Sequence, residues 1–244
     1  MRNIVNLQLK PSVTRALRHN TSQAQEPVST GSATKRVMEI LDAKYDKANL
    51  PAIVMDNCSH LDASQREKLL SLLLKIESLF DGTLGDWNRP PVPIKLKEGA
   101  KPYHGRPYPI PQIHKATLMK VINRLVGIGV MKRQSLSEWA SPAFIIPKKD
   151  MTVRTITDFR ELDKRIVRRP FPIPKISTTL QKLEGFACAT ALDLNMGYYT
   201  IRLDPKAVEM FTIIFPWGKY SYLRLPTGFA GSADIFPSKQ KWWI

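Results

Sequence analysis

Between Asn88 and Pro111 the chain carries Pro90, Pro91, Pro93, Pro102, Pro107, Pro109 and Pro111, and this run constrains the fold more than any other feature. Each ring fixes φ at about −65° and removes a backbone N–H, so no helix can pass through the segment and it must run extended. A second group, Pro170, Pro172 and Pro174, makes another rigid crossing. Regular elements must lie before, between and after these two stretches.

Before the first crossing, residues 1–60 are expected to be weakly structured. Gln23 to Thr34 reads as linker from its Ser, Thr, Gln and Ala content, with a short helix over Thr34 to Lys47. Residues 61–87 hold the clearest helix, Leu61 to Phe80. Ser64 and Glu67 stand at capping-box spacing, Leu69, Leu72, Leu73, Ile76 and Phe80 make an apolar stripe, and Asp81-Gly82 ends it. This helix is expected to dock by its apolar face.

After the first crossing, Gln112 to about Val126 reads as a helix with Leu118, Ile122 and Leu125 on one face, stopped by Gly127 and Gly129. Phe144 to Pro147 and Val153 to Thr157 flank Lys148-Lys149-Asp150-Met151-Thr152, a hairpin with a basic tip. Ile176 to Leu183 reads as a short amphipathic helix. Ala189 to Ile201 then begins as an apolar strand that delivers one carboxylate, Asp193, beside a turn at Asn195 and Gly197. A carboxylate so placed can ligate a metal over a cleft or merely cap the turn. Phe211 to Phe215 and Tyr220 to Leu225 form a second hairpin around Pro216-Trp217-Gly218-Lys219.

The formal net charge is +16, and Lys95 to Arg169 alone holds 17 basic against 6 acidic residues, +11 of that total. A polyanionic partner follows from that balance. Cys58 and Cys188 are too few for a disulfide framework, and Cys58 with His60 and Asp62 lacks a second pair of ligands for zinc. No apolar run reaches transmembrane length and the N-terminus does not read as a signal peptide, so an intracellular, cytoplasmic protein with no membrane partner is expected.

The blocks occur in a telling order. Ser137 to Asp150 resembles the "WASP…KKD" opening of polymerase fingers, Arg154 to Lys164 the "R…DFR-L-NK" segment, and Ala189 to Ile201 the first catalytic motif. Phe215 to Tyr220 and Leu225 to Phe229 follow in sequence. Over residues 88–237 the chain resembles the reverse transcriptase domain of Ty3/gypsy-type LTR retrotransposon polyproteins. The resemblance implies an α+β fold: the fingers and part of the palm of a right-hand polymerase, preceded by a linker and a helix. It implies RNA-directed DNA polymerase chemistry on an RNA template, with a DNA or tRNA primer, dNTPs and Mg2+ or Mn2+.

Site residues follow from the same resemblance. Asp193 would be the catalytic metal ligand, and Lys148 and Arg154 would meet the triphosphate. Tyr198 would lie under the nucleotide sugar and select deoxynucleotides. Thr227 and Gly228 would touch nucleotide and template, while Lys149, Arg160, Arg165 and Arg168 would hold nucleic acid.

Departures limit the expectation. Asp163 stands where the family has Asn, an added negative charge beside the nucleic-acid path. Ala233 and Pro237 replace Pro and Gln, and residues 238–244 form a tail unlike the family. No Asp-Asp pair, thumb or RNase H region occurs among these 244 residues. Two-ion phosphoryl transfer needs carboxylates converging on both ions, so Asp193 by itself is expected to bind Mg2+ weakly and support no polymerisation. The alternative is a non-catalytic, basic nucleic-acid-binding remnant. Ser29-Thr30-Gly31 lacks the Asp of an aspartic protease loop.

Overall fold

A computed structural model describes residues 5–6, 47–147, 153–172, 193–194 and 196–239. Two compact units divide the chain: residues 2–85 with 174–196, and residues 86–173 with 197–244.

The first unit contains strand β1 (Val5–Asn6), helices α1 (Leu50–Asn57) and α2 (Ala63–Lys75), and a 3-10 turn, Glu77–Phe80. β1 pairs antiparallel with Asp193–Leu194 (β5 in chain order), Asn6 standing opposite Asp193. The helix α1 lies inside the stretch expected to be weakly structured. Asn49 accepts from the Ala52 N–H at 3.2 Å, Pro51 sits in the first turn where no intrahelical donor is required, and Leu50 and Val54 are buried. With Cys58, Leu73 and Phe80 they make a small core.

The capping box is two residues earlier than expected. Asp62, in extended conformation, accepts from the Gln65 N–H at 2.8 Å, and the Gln65 side chain accepts from the Asp62 N–H at 3.1 Å. Starting at Asp62 lets Leu61 pack against the core. The expected stripe is corrected too: Leu73 and Phe80 are buried, but Leu72, on the outer side of the helix, and Ile76, at its end, are exposed, and the chain tightens into the 3-10 turn after Lys75. The expected linker over Gln23 to Thr34, the helix over Thr34 to Lys47 and that over Ile176 to Leu183 fall outside the described residues, apart from Lys47 itself.

In the second unit, α3 (Gln112–Gly127) leads to β2 (Met131–Arg133), β3 (Ser141–Pro147), β4 (Val153–Thr157) and α4 (Arg160–Arg165). A 3-10 turn (Gly197–Thr200), α5 (Pro205–Met210), β6 (Thr212–Phe215), β7 (Gly218–Tyr222) and α6 (Ser232–Lys239) follow. Both expected hairpins form. β3 and β4 pair antiparallel from Ala143 opposite Thr157 to Pro147 opposite Val153, and β6 and β7 close over Pro216-Trp217. The sheet order is β2-β7-β6-β3-β4, all antiparallel except for the parallel β6 and β3 pair. The first two residues of the tail, Ser238 and Lys239, continue α6.

The proline run is extended, as its rings require. It pairs only through the residues between prolines. The Val92 N–H donates to the Arg202 carbonyl at 2.8 Å, Lys97 N–H to Arg165 carbonyl at 2.8 Å, and Gly105 N–H to Ala140 carbonyl at 2.8 Å. The core gathers aromatics from several elements: Phe159 meets Phe211 (ring centroids 5.4 Å apart), and Phe211 meets Phe229 (4.8 Å). Edge-on packing of this kind adds stabilisation beyond the buried area.

Candidate nucleic-acid interface

The hairpin of β3 and β4 has two faces of different character. Phe144 stands opposite Ile156 and Ile146 opposite Arg154, so alternation puts these four side chains on one face. Phe144 and Ile146 are exposed there, as is Arg154. Tyr108, from the proline run, lays its ring edge-on to Phe144 with centroids 6.1 Å apart and is itself exposed. The Tyr108 hydroxyl donates to Asp158 Oδ2 at 3.2 Å.

Asp158 fixes the next cation. Arg160 donates from Nε to Oδ1 at 2.8 Å and from Nη2 to Oδ2 at 2.6 Å, a two-pronged pair, while its side chain remains 79% exposed. Those bonds hold the Asp158 carboxyl at a pKa of about 2 against the desolvation that would raise it. The arrangement is an exposed pair of edge-on aromatic rings beside an oriented guanidinium. Such a surface stacks bases and attracts phosphate without reading sequence.

The Leu225 to Gly231 loop is pinned beside it. Phe229 is buried against Phe159 and Phe211, the Ala230 N–H donates to Asp163 Oδ1 at 3.1 Å, and the Ser232 hydroxyl donates to the Pro226 carbonyl at 2.6 Å. A Cβ on Gly231 would fall 2.5 Å from the Phe229 ring, so only glycine allows that ring to seat. Thr227 and Gly228 are thereby left exposed, with Gly228 at φ +85°. Asp163, an added negative charge by the sequence reading, is also the acceptor that ties down this loop. Its partial burial raises its pKa, and the Ala230 N–H opposes that rise.

Of the remaining sequence-predicted residues, Arg165 and Arg168 are engaged within the chain. Arg165 donates to the Glu161 carboxylate at 2.7 Å and the Lys101 carbonyl at 3.1 Å, and lies 5.3 Å over the Tyr103 ring. Arg168 Nε donates to Asp234 Oδ2 at 2.6 Å, and Asp234 Oδ1 also accepts from the Phe171 N–H at 3.2 Å. Tyr198 is half-buried against Phe236, ring centroids 5.0 Å apart. Lys148 and Lys149 lie outside the described residues, and of Asp193 only the backbone, in β5, is described. Among the described residues no three His, Cys, Asp or Glu side chains gather as metal ligands would.

Tyr108, Phe144, Asp158 and Asp234 were not singled out from sequence. The run Ala143-Phe144-Ile145-Ile146 has no polar alternation to mark a face, and Asp158 and Asp234 acquire their roles from residues far along the chain.

No family model matches the chain. It is 29% identical over 184 residues to the retrovirus-related Pol polyprotein from transposon opus of Drosophila melanogaster, covering 72% of this chain and 18% of that one. It is 30% identical over 131 residues to a Tf2 transposon polyprotein of Schizosaccharomyces pombe, covering 54% of this chain and 10% of the relative. Among solved structures, native prototype foamy virus protease-reverse transcriptase superposes with TM-score 0.63 at 22% identity, over 90% of this chain and 27% of that one. This chain is similar in sequence to retrotransposon polyproteins and has a reverse transcriptase fold. The foamy viral enzyme in complex with RNA/DNA hybrid matches with TM-score 0.62 at 20% identity, over 91% of this chain and 28% of its own. The chain thus spans less than a fifth of the curated relatives' length. Within this fold, Phe144 lies on the hairpin at the edge of the sheet, Tyr108 packs against it from the proline run, and Arg160 follows the hairpin at the start of α4.

Proposed function

We propose that the second unit holds the template strand for RNA-directed DNA synthesis, with bases stacking on Tyr108 and Phe144 and a phosphate meeting Arg160. The exposed pair of rings on and against the β3 and β4 hairpin, with Arg160 just after it, carries this reading. Asp158 keeps Arg160 oriented, so little side-chain freedom is lost when a phosphate binds. The basic excess over Lys95 to Arg169 supports a polyanionic partner, and the foamy viral neighbour in complex with RNA/DNA hybrid supports the choice of nucleic acid.

Catalysis is a separate proposal. Arg154, Thr227 and Gly228 are exposed and available to an incoming nucleotide, with Lys148, which follows β3 in the sequence, as the other candidate cation. Tyr198 would check the sugar from below. Asp193 would contribute one carboxylate toward Mg2+ or Mn2+, which in phosphoryl transfer stabilises the attacking and leaving oxygens. The described residues do not present a set of ligands for such an ion, so the proposal rests on strand positioning and not on a metal. These 244 residues by themselves are expected to bind template without extending a primer.

Fluorescence anisotropy on the 244-residue chain tests the reading, using an RNA/DNA hybrid with a 5′ template overhang against a blunt hybrid. The overhang should bind at least about tenfold more tightly, since each stacked base contributes about 1–3 kcal/mol. Tyr108→Ala with Phe144→Ala should erase that preference. Equal affinity for the two hybrids in the unmodified chain refutes the assignment.

A further inference from the structure

The loop between β2 and β3 holds two serines in different states. Ser137 is engaged on every side: its hydroxyl donates to the Glu209 carbonyl at 3.3 Å and accepts from the Trp139 N–H at 3.1 Å and the Thr212 hydroxyl at 3.0 Å. Ser135 is exposed, and its hydroxyl has no hydrogen-bond partner among the described residues. Leu136, next to it, is 91% exposed, more than any other large apolar side chain described. Lys219 holds the loop on both sides of this pair. Its carbonyl accepts from the Gln134 N–H at 3.0 Å, and its ammonium donates to the Ser137 carbonyl at 3.0 Å. Ser135 and Leu136 are thus a short tip projecting between two ties.

Lys132 and Arg133 lead into the tip. Both are exposed, and neither is ion-paired among the described residues. They end β2, which lies at the edge of the sheet and pairs there with β7, Lys132 opposite Ser221 and Arg133 opposite Tyr220. The backbone ahead of Ser135 is therefore already extended, with its outer side open. Across the whole sequence, Ser135 is the only Ser or Thr with Lys or Arg both two and three positions before it.

We propose that Ser135 is a phosphorylation site for a protein kinase that selects basic residues. Such a kinase takes its substrate as an extended segment, with carboxylates to receive cations ahead of the acceptor and an apolar pocket for the residue after it. Lys132 and Arg133 supply the cations, Ser135 the hydroxyl and Leu136 the apolar side chain. The donor is ATP. Ser135 Oγ bonds to the γ-phosphorus as the bond from that phosphorus to the β,γ-bridging oxygen breaks. ADP leaves with the electron pair, and the hydroxyl proton passes to the catalytic aspartate of the kinase. The phosphate adds a charge of about −1.5 to −2, enough to offset Lys132 and Arg133 together. Glu138, exposed three positions after Ser135, is the feature that an acid-directed kinase would read, but the basic pair ahead of Ser135 opposes such an enzyme. None of this depends on the chain holding a template.

The test incubates the folded 244-residue chain with γ-labelled ATP and the catalytic subunit of cAMP-dependent protein kinase, and in parallel with an acid-directed casein kinase. Label from the first enzyme is expected on the tryptic peptide Gln134 to Lys148, with fragment masses placing it on Ser135 and not on Ser137 or Ser141. Ser135→Ala should remove that label without moving the thermal midpoint, because the hydroxyl it deletes bonds nothing described. Lys132→Gln with Arg133→Gln should keep the hydroxyl but lower kcat/KM at least about tenfold, since a hydrogen bond to a charged group is commonly worth that much. No label on the folded chain, label confined to other peptides, an unchanged rate in the double variant, or faster labelling of Ser135 by the acid-directed enzyme each overturns the proposal. A synthetic peptide of residues 131–138 serves as the positive control: if it is labelled and the folded chain is not, the fold withholds the site and the proposal falls.

Discussion

Replacing Asp234 with alanine tests whether Arg168 is part of the fold's own wiring or a nucleic-acid contact. The carboxylate is 7% exposed and accepts from Arg168 at 2.6 Å and from the Phe171 N–H at 3.2 Å. Alanine leaves that N–H unpaired and frees Arg168, which is half-exposed and regains water. The lost hydrogen bond to a charged acceptor and the orphaned donor together cost about 1–2 kcal/mol, with the ion pair itself adding little after solvent screening. For a chain of this size that is a fall of about 2–8 °C in melting temperature by differential scanning calorimetry. Arg168→Ala should lower the midpoint further, because it strands a buried carboxylate. The double variant should then resemble Asp234→Ala alone. Additive losses would show that the two residues are not coupled. In parallel, Arg168→Ala should leave the salt slope of nucleic-acid binding unchanged. A slope reduced by about 0.9 would mean one lost phosphate contact and would refute the assignment.

Two further outcomes follow from the pinned loop. Asp163→Asn keeps the Oδ1 acceptor for the Ala230 N–H while removing a partly desolvated charge whose pKa is raised. Because a carboxylate with a raised folded-state pKa costs stability above that pKa and none below its unfolded value, the variant should be more stable at pH 7. The gain should lie within about 1 kcal/mol and vanish as pH falls through the acid range, read by urea unfolding at several pH values. Gly228→Ala meets no steric clash, its Cβ lying 3.5 Å from the Thr157 carbonyl, so its cost should be backbone strain alone. A loss of about 1–2 kcal/mol is expected. A neutral result would mean that the turn can relax from φ +85°.

The local elements were readable because their causes are local. Proline chemistry dictated the extended run from Asn88 to Pro111, and the alternation of apolar blocks with turn residues located both hairpins. The helix over Gln112 to Gly127 followed from the spacing of Leu118 and Ile122. Helix starts were less legible: Asp62 with Gln65 and Ser64 with Glu67 fit the capping pattern almost equally, and the choice fell to Leu61, which reaches the core only from the earlier start.

The site divided in the same way. Sequence order alone pointed to a polymerase-like chain, to Arg160, and to the exposed turn at Thr227 and Gly228. The resemblance also marked Arg165 and Arg168 as nucleic-acid contacts, and a formal charge read from sequence carries no sign of its partner. Glu161 lies one turn before Arg165, but Asp234 is 66 residues from Arg168, and only folding brings that carboxylate within 2.6 Å. Likewise the aromatic face exists because the proline run delivers Tyr108 onto a hairpin face that register assigns to Phe144. The sequence thus determined which residues could stack, turn or carry charge. Tertiary structure decided which charges were already spent, since pairing and burial depend on distance through space, not on separation along the chain.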